Sequence, residues 1–537
     1  MAINQVNQLK PPQDQLINLL EYLNNGKYNE AEKLGKFISN KFPKHPFAWK
    51  VLGAVFSHIG RKIDSEKVNQ IVVTLTPQDA EAHYNLGIVL KDLNRLEEAL
   101  ISYKKAFNLR PDHPETSNNI GIIFYELKKY DEAEFYLNKS LTLNPKYAEA
   151  YYNLANTLKE KKLLAQAYER YKQSIHLKPD YLEAHNNLGI LLINLNRLED
   201  AKICFENIIL LKPKNFIALN NLGVVQKDLG NMEEAEINLK KAILIKPDYF
   251  DAYNNLGVIQ KQLGNFEEAK LNLKKAISLN KTFVDAYCNL AMVYNHQSKF
   301  CKAKTNYNKA LKLNPKNSLA KHMLNALNRK TTKTAPITYI QDLFDDYANN
   351  FEDSLINKLN YDVPNNIVNM IKSYNKSQTI GSILDLGCGT GLVGQEIRQI
   401  SKNLDGIDIS QKMLNLAKKK KVYDNLIKEN ILTFLSKGIL NYDYFISADV
   451  FIYIGDLTDV FSLIKSRNMC CGHLVFSTEH YDGEGYFLEQ SGRYSHSKKY
   501  IETLCNKFKF DLVNFKSHVL RKSKNKKING GLYFLKF

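Results

Sequence analysis

The sequence predicts two folds in one chain of 537 residues: an all-α solenoid of stacked helix pairs, followed by an α/β domain with a mostly parallel sheet. Three observations carry this prediction. Small residues recur every 34 positions through the first 317 residues, which indicates repeated helix pairs. Beyond about residue 380, short apolar runs alternate with helical patterns, as in parallel sheets covered by helices. A glycine-rich turn, from Gly387 to Gly391, joins the first of these runs to a helix.

The composition is that of a globular protein, because 44% of the residues are hydrophobic and can form packed cores. The N-terminus lacks an apolar segment of signal-peptide length, and about 18 apolar residues nowhere run together, so we expect no membrane span. The seven cysteines are scattered, without CxxC pairs or the spacing of a zinc site. These features predict a reduced, cytoplasmic protein without a structural metal.

The net charge of +18 raises the question of nucleic-acid binding. The excess is mostly lysine and is spread thinly along the chain. The densest run, Lys418 to Lys421, falls where a helix is predicted to end, and lysines there complement the helix dipole. We therefore do not expect a nucleic-acid partner.

The repeat shows first in a column of small residues, at Gly53, Gly87, Gly121, Ala155, Gly189, Gly223, Gly257 and Ala291. Most are followed twelve residues later by alanine and twenty-four residues later by proline. Small residues let two helices approach closely, and proline ends the second helix. About nine units span residues 12–317 and a capping helix completes a solenoid domain over 12–330. The pattern resembles the tetratricopeptide repeat.

An asparagine precedes the small residue by two positions in seven units, at Asn85, Asn119, Asn153, Asn187, Asn221, Asn255 and Asn289. Such a ladder of amides on one face can hydrogen-bond an extended peptide backbone without reading its side chains. The ladder is similar to that of O-linked N-acetylglucosamine transferase, where it holds protein substrates. The alternative is that these asparagines only bond neighbouring helices.

The join between the two folds is predicted over residues 331–338, a polar linker that contains one proline. The second domain, residues 339–537, then begins with an amphipathic helix. Its run LFDDYANNFEDSL resembles the N-terminal lid of small-molecule-type methyltransferases, which implies a cofactor contact for Tyr347. The alternative for Tyr347 is an ordinary helix position packed on the sheet.

The run ILDLGCGTGLVG reads as a buried strand, a glycine turn and a helix start, which places backbone N–H groups close to a ligand. A dinucleotide fingerprint needs a further glycine where this chain has Leu392. The run instead resembles the cofactor loop of S-adenosylmethionine-dependent, Rossmann-like class I methyltransferases. That resemblance implies cofactor contacts for Asp385, Gly387, Gly389, Gly391, Asp408, Ile409, Asn430, Ile431, Ala448 and Asp449.

The order of the predicted strands supports the same family. Asp408 ends the second strand, where a carboxylate can accept hydrogen bonds from both ribose hydroxyls; a helix N-cap is its alternative role. The last two strand-like runs, DLVNFKSHVL and GLYFLKF, join as a hairpin, so the last strand of the expected seven-stranded sheet is antiparallel. Strand four lacks the Asn/Asp-Pro-Pro-aromatic run of DNA-base methyltransferases, which argues against a DNA substrate.

The acceptor side is predicted in the run HYDGEGYFLEQSGRYSHSKKY, after the fifth strand. Methyl transfer needs alignment, and also a base if the acceptor atom carries a proton. His496 could be that base, with Glu479 orienting it or binding a cationic acceptor. Arg493 and Tyr494 are candidate substrate contacts. The alternative is a surface loop without a catalytic role.

Nearly the whole chain resembles the methyltransferases that carry tetratricopeptide repeats. The first hypothesis is an S-adenosylmethionine-dependent methyltransferase whose solenoid recruits the acceptor, a protein or peptide. The second makes the acceptor a small molecule and uses the repeats for assembly, including self-association. The third is a non-catalytic scaffold. The intact glycine turn, Asp385 and Asp408 argue against the third hypothesis.

Overall fold

The computed structural model describes residues 10–348, 351–353, 355, 359, 361–375, 379–523 and 526–537. The chain divides into two compact units, Met1–Leu211 and Lys212–Phe537. The first unit contains repeats alone. The second contains the last repeats together with the α/β fold, so the predicted domain boundary at residue 330 lies inside a compact unit and stays a prediction.

The first unit is helical throughout its described part, and each helix packs against its neighbours in the chain. The small-residue column explains the close packing, because a Cβ on Gly121 would lie only 2.6 Å from Leu137 of the next helix. The helices are α1 (Gln13–Asn24), α2 (Tyr28–Lys41), α3 (Pro46–His58), α4 (Lys62–Leu75), α5 (Ala80–Asp92), α6 (Leu96–Leu109), α7 (Pro114–Glu126), α8 (Tyr130–Leu143), α9 (Ala148–Glu160), α10 (Leu164–Leu177), α11 (Leu182–Asn194) and α12 (Leu198–Leu211).

The second unit begins with the same helical motif, which confirms the predicted solenoid. Its helices are α13 (Phe216–Asp228), α14 (Met232–Ile245), α15 (Phe250–Gln262), α16 (Phe266–Leu279), α17 (Val284–His296), α18 (Phe300–Leu313) and α19 (Ser318–Leu327). Helix α19 is the predicted capping helix. The side chain of Asn317 caps its N-terminus and accepts a hydrogen bond from Ala320 N at 2.8 Å.

The remainder of the second unit alternates helices and strands, as the sequence predicts. The helices are α20 (Ile337–Tyr347), α21 (Val363–Tyr374), α22 (Leu392–Ile397), α23 (Gln411–Lys420), α24 (Ile431–Ser436), α25 (Thr458–Arg467) and α26 (Lys498–Phe508). The strands are β1 (Ser382–Leu386), β2 (Asn403–Asp408), β3 (Asn425–Lys428), β4 (Tyr444–Ser447), β5 (His473–His480), β6 (Tyr486–Leu488), β7 (Tyr494–His496), β8 (Asp511–Ser523) and β9 (Lys526–Lys536).

The sheet has a main row of seven strands, hydrogen-bonded in the order β3-β2-β1-β4-β5-β9-β8. Strands β1 to β5 are parallel, and β9 is antiparallel to both of its neighbours, which confirms the predicted fold class. The sequence missed the hairpin β6–β7. This hairpin extends the sheet at the carboxyl end of β5, where Glu479 pairs with Ser495.

Helices cover both faces of the sheet and build two apolar cores. On one face, Phe445 of β4 packs with Phe461 of α25 and Leu504 of α26. On the other face, Ile446 of β4 packs with Val368 of α21 and Val393 of α22, among others. Because the five parallel strands run in one direction, their carboxyl ends meet at one edge, where ligands bind in folds of this type.

Two further features concern the protein as a whole. In the ranges that the structure describes, no helix combines the length and apolarity needed to cross a membrane, and no group of His, Cys, Asp or Glu side chains could hold a metal ion. All seven cysteines are free thiols.

Candidate cofactor and acceptor site

The glycine turn follows β1 at the carboxyl edge of the sheet. Gly387, Gly389 and Gly391 have φ angles of 80°, 54° and 90°, in the left-handed region that favours glycine. A Cβ on Gly387 would also lie 2.5 Å from a methyl carbon of Val450, the residue that follows Asp449 after β4. The turn therefore needs glycine for its conformation and for its close approach to the segment after β4.

Asp385 lies on β1 below this turn and is 1% exposed. Its Oδ2 accepts a hydrogen bond from the Tyr423 hydroxyl at 2.7 Å, whereas its Oδ1 is buried and has no hydrogen-bond partner among the described residues. Burial raises the pKa of Asp385 to about 7. A buried carboxylate oxygen without a partner is costly, and a cationic ligand group would satisfy it.

Asp408 ends β2, as the sequence predicts, and lies beside the turn. Its Oδ2 accepts a hydrogen bond from Gly389 N at 2.9 Å, and its Oδ1 accepts one from Ser410 N at 2.8 Å. Burial raises the pKa of Asp408 to about 6. The helix N-cap, its alternative role, belongs to Ser410, whose side chain caps α23.

A cavity of about 40 Å³ lies over the glycine turn. Its lining residues are Phe351, Tyr361, Pro364, Gly387, Cys388, Gly389, Thr390, Leu392, Val393 and Ala448. The sequence analysis did not name Phe351 or Tyr361 as site residues. Tyr347, the expected lid contact, is 38% exposed and does not line the cavity; its ring packs edge-on against Phe351, with centroids 6.1 Å apart.

The other predicted cofactor residues lie along the same edge. Ile409 follows β2 and is half-buried, and Ile431 begins α24 and is 8% exposed. Asn430 caps α24, because its side chain accepts hydrogen bonds from Leu432 N and Thr433 N. The oxygen of Asn430 is thus engaged by its own helix, which the sequence analysis did not anticipate.

Four charged side chains meet beyond the cavity, at the ends of β4 and β5. Glu479 is buried there and the side chain of Asp449 is 12% exposed, and the guanidinium of Arg521 from β8 contacts both carboxylates. Arg493, in the turn before β7, donates through Nε to Glu479 Oε1 at 2.7 Å. The predicted residues Asp449, Glu479 and Arg493 are therefore brought together. Arg521 joins them and was missed.

His496 and Tyr494 are not placed for the roles expected of them. His496 is 0% exposed, and its Nε2 lies 3.0 Å from Ile454 O and 2.9 Å from Gly455 O. Burial lowers its pKa to about 4. A general base must reach the proton of the acceptor, so this geometry does not support His496 as the base. Its imidazole instead fastens β7 to the turn at residues 454–455.

Tyr494 is also 0% exposed, and its hydroxyl lies 2.6 Å from Thr332 Oγ1. Its ring packs with Ala326, Ala335 and Tyr339 in a small apolar core. This environment makes Tyr494 a packing residue and leaves no surface for a substrate contact. The burial of both side chains comes from the hairpin β6–β7, which the sequence did not reveal.

The expected linker, residues 331–338, is hydrogen-bonded to the α/β fold. Ala335 N donates to Tyr453 O at 3.2 Å, and Lys333 O accepts from Gly455 N at 2.9 Å and from Asp456 N at 2.8 Å. The last repeats also contact the turn that carries Arg493, because His322 Nε2 lies 2.8 Å from Gly492 O. Within the second unit, the repeats and the α/β fold thus share an interface next to the acceptor side.

The asparagine ladder bonds neighbouring repeats in both units. In the first unit, Asn119 Nδ2 donates to the Tyr84 hydroxyl at 3.1 Å, and Asn153 Nδ2 donates to Asn118 Oδ1 at 3.0 Å. In the same unit, Asn187 donates to the Tyr152 hydroxyl and to Asn156 Oδ1.

In the second unit, Asn255 and Asn289 each donate to an asparagine of the preceding repeat at 3.0 Å, and Asn221 accepts from Asn220 at 3.2 Å. Asn85, the first of the column, is half-buried on α5. Five of the seven ladder asparagines thus bond the preceding repeat, as the structural alternative expects, while peptide binding stays a prediction.

Comparison with protein-family models agrees with this architecture. Models described as tetratricopeptide repeat match residues 78–146, 136–169, 182–215, 250–283 and 284–317, and one described as TPR repeat matches residues 227–264. A model described as methyltransferase domain matches residues 383–466, which include the glycine turn, Asp408 and Asp449. A search of curated protein sequences finds no match.

Solved structures with similar folds are also found. The Cut9-Hcn1 hetero-tetramer of APC/C has 19% sequence identity and a TM-score of 0.39. The match covers 58% of this chain and 62% of the other chain, so it spans less than two thirds of that relative's length. A tetratricopeptide repeat protein from Parabacteroides merdae has 20% sequence identity and a TM-score of 0.39, and the match covers 46% of this chain and 98% of the other. YrrB, a TPR protein with an unusual peptide-binding site, has 23% sequence identity and a TM-score of 0.29, and the match covers 35% of this chain and 96% of the other. The family models, and not these structures, identify tetratricopeptide repeats and a domain of the methyltransferase type in this chain.

Proposed function

We propose that the protein is an S-adenosylmethionine-dependent methyltransferase that acts on a protein or peptide recruited by its repeats. The observation that carries the cofactor assignment is the unpartnered, buried Oδ1 of Asp385 beside a glycine turn. S-adenosylmethionine has a cationic amino group and sulfonium and a ribose with two hydroxyls, which suit a site with two carboxylates. A matching methyltransferase model over residues 383–466 supports the same reaction class.

Different residues at the carboxyl edge of the sheet bind different groups of this cofactor. Asp385 accepts a hydrogen bond from the amino group, and Asp408 accepts from the ribose hydroxyls, since each carboxylate oxygen has a further lone pair. The N–H groups of Gly387, Gly389 and Gly391 already donate to Ile407 O, Asp408 Oδ2 and Cys388 O, so the glycine turn contributes close approach of its backbone and not free donors. Ile409, Ile431 and Ala448 supply apolar contact for the adenine. When bound, S-adenosylmethionine supplies an electrophilic methyl group, and the protein contributes alignment and the exclusion of water.

The acceptor enters beside Arg493 and Glu479, which lie at the interface with the last repeats. Arg493 keeps 26% of its side chain exposed, so it is the member of the charged group that can contact an acceptor. An amide offers two donor and two acceptor positions, and the bonds between neighbouring repeats do not occupy all of them, so the ladder can also bind a peptide backbone. The seven free thiols support a reducing, cytoplasmic location.

Calorimetric titration of the full chain tests the cofactor assignment. We expect S-adenosylmethionine to bind with a stoichiometry of one and NAD not to bind, because Leu392 stands where a dinucleotide turn needs glycine. Binding of NAD without binding of S-adenosylmethionine would overturn the proposal.

Labelled methyl transfer into a cell lysate tests the acceptor class. A labelled protein band is the expected result, and label found only in small molecules would favour the small-molecule hypothesis.

A further inference from the structure

Arg521 lies on β8 and is 5% exposed, although arginine is rarely buried in the middle of a strand. Arg521 lies at a β-bulge, where the register of the pairing between β8 and β9 shifts between Val519 and Arg521. Leu520 is the extra residue of this bulge, and it is buried as well. Bulges re-aim side chains, and this one lets two successive residues of β8 both point into the protein.

The guanidinium of Arg521 is shared between two elements. One terminal nitrogen contacts Asp449 Oδ2 after β4, and the other contacts Glu479 Oε1 at the end of β5. A planar, forked guanidinium suits two acceptors at once, whereas an ammonium is a point charge. Burial alone would lower the pKa of Arg521, but the charges of the two carboxylates outweigh it and raise that pKa. Arg521 is therefore cationic and fixed by both partners.

Asp449 is held in an unusual backbone conformation. Its φ of 56° is left-handed, which costs energy in a residue other than glycine and persists only where the surroundings enforce it. The Ser477 hydroxyl accepts from Asp449 N and donates to Asp449 Oδ1, both at 2.8 Å. Arg521 fastens the other carboxylate oxygen, so Ser477 and Arg521 together fix the turn at residues 448–450.

The turn at residues 448–450 supports the cofactor site. Ala448 lines the cavity over the glycine turn, and Val450 packs so closely on Gly387 that a Cβ there would not fit. A shift of Asp449 would therefore displace the residues on both sides of it, which touch the cavity and the glycine turn.

We propose that Arg521 is a positioning residue, which holds Asp449 and Glu479 so that the 448–450 turn supports the glycine turn for cofactor binding. The proposal rests on the proposed function of that site. Arg521 itself touches neither cofactor nor acceptor; it acts through the two carboxylates. The titratable or charged groups that face it are Asp449, Glu479, Tyr453 and Tyr361, with Arg493 on the far side of Glu479.

The test is calorimetric binding of S-adenosylhomocysteine to the full chain and to two Arg521 variants at pH 8. Arg521→Met leaves Asp449 without a cation and Glu479 with Arg493 alone, so we expect the Kd to rise at least about tenfold. Arg521→Lys keeps the charge but cannot span both carboxylates, so its Kd should fall between those of the wild type and Arg521→Met.

A matched control separates positioning from loss of stability. Leu535 is 0% exposed on β9, in the apolar core and outside the charged group. Leu535→Ala should lower the melting temperature at least as much as Arg521→Met, yet leave the Kd within about twofold of the wild type. An equal weakening of binding by Leu535→Ala would overturn the proposal.

The pH dependence provides a readout that a purely structural role would not move. Burial raises the pKa of Asp449, and the charge of Arg521 opposes that rise. Without Arg521, the Asp449 carboxyl should take up a proton more readily as the pH falls, so the ratio of the Arg521→Met Kd to the wild-type Kd should fall between pH 8 and pH 6. A constant ratio, or an Arg521→Met Kd within twofold of the wild type, would overturn the proposal. Failure of the wild type to bind S-adenosylhomocysteine would instead overturn the proposed function, and the role of Arg521 with it.

Discussion

The asparagine ladder of the repeats and the aspartates of the sheet edge are both groups of buried or half-buried polar side chains in patterned sequence. Five of the seven ladder asparagines donate amide protons to the preceding repeat, as Asn119 does to Tyr84 and Asn289 to Asn254. Asp385 instead keeps one oxygen without any partner. Among the described residues, it is the only carboxylate with a buried, unpartnered oxygen.

This difference separates structural polar groups from groups that await a ligand. A side chain that the fold itself satisfies can be explained by stability alone, whereas a buried charge left unsatisfied is a cost that a ligand must offset. The ladder therefore needs an experiment to establish a binding role, while the sheet edge already points to a cationic ligand. Four predictions test this contrast between the ladder and the sheet edge.

Asp385→Asn should produce the largest effect. The amide keeps the hydrogen bond from Tyr423 but loses the charge, so the affinity for S-adenosylmethionine should fall about 10- to 100-fold. The melting temperature without ligand should not fall, because a buried charge has been removed. Calorimetry and thermal unfolding measure the two quantities. Asp424→Asn, a half-exposed carboxylate paired with Arg398, is the control and should leave the affinity unchanged. An Asp385→Asn protein that binds as tightly as the wild type would show that the unpartnered oxygen of Asp385 does not receive the ligand.

Gly387→Ala should come next, with Gly485→Ala as its matched control. Both glycines have φ near 80°, but a Cβ at Gly387 meets Val450 whereas one at Gly485 meets open space. Gly485→Ala should cost only the backbone strain, on the order of 1 kcal/mol in unfolding free energy. Gly387→Ala should cost more and should weaken binding of S-adenosylmethionine roughly tenfold or more. Equal effects of the two variants would show that the turn does not depend on its contact with Val450.

The stability of the ligand-free protein should depend on pH through the same aspartates. Asp385 and Asp408 have raised pKa values, about 7 and about 6, against roughly 4 for an unfolded chain. The folded protein therefore binds more protons than the unfolded chain in this window, and its stability should fall as the pH rises from about 4 to about 7. Thermal unfolding across this range should show a smaller slope in Asp385→Asn. An unchanged slope would mean that the carboxyl of Asp385 is solvated.

The ladder variants should have the smallest effect. Asn187→Ala removes two hydrogen bonds to the preceding repeat and Asn255→Ala removes one, at about 1 kcal/mol per bond in unfolding free energy. Their affinity for S-adenosylmethionine should equal that of the wild type. Loss of labelled protein bands in the methyl-transfer assay, with helicity intact, would add a peptide-binding role to the structural one. Unchanged labelling would leave the ladder as structure alone.

Much of the fold and the cofactor side of the site could be predicted, because the sequence patterns that indicate them are local. The 34-residue period, the glycine turn and the position of Asp408 follow from spacing within short stretches. Arg521 could not be found this way, since a bulge in β8 and the pairing of β9 with β5 bring it to Glu479. The burial of His496 and Tyr494 could not be predicted for a related reason: both side chains lie in the hairpin β6–β7, and the residues that cover them come from distant segments.

Proton release on cofactor binding tests the central claim, that the buried carboxyl of Asp385 receives a cation from S-adenosylmethionine. Calorimetry at pH 6.5, in buffers that differ in ionisation enthalpy, measures this release. Because its pKa of about 7 leaves Asp385 mostly protonated at that pH, a cation at its oxygen should displace more than about half a proton. The Asp385→Asn protein should release much less, because only Asp408, with its pKa of about 6, still holds part of a proton at that pH. Binding without proton release in the wild type, or equal release in the variant, would contradict the account.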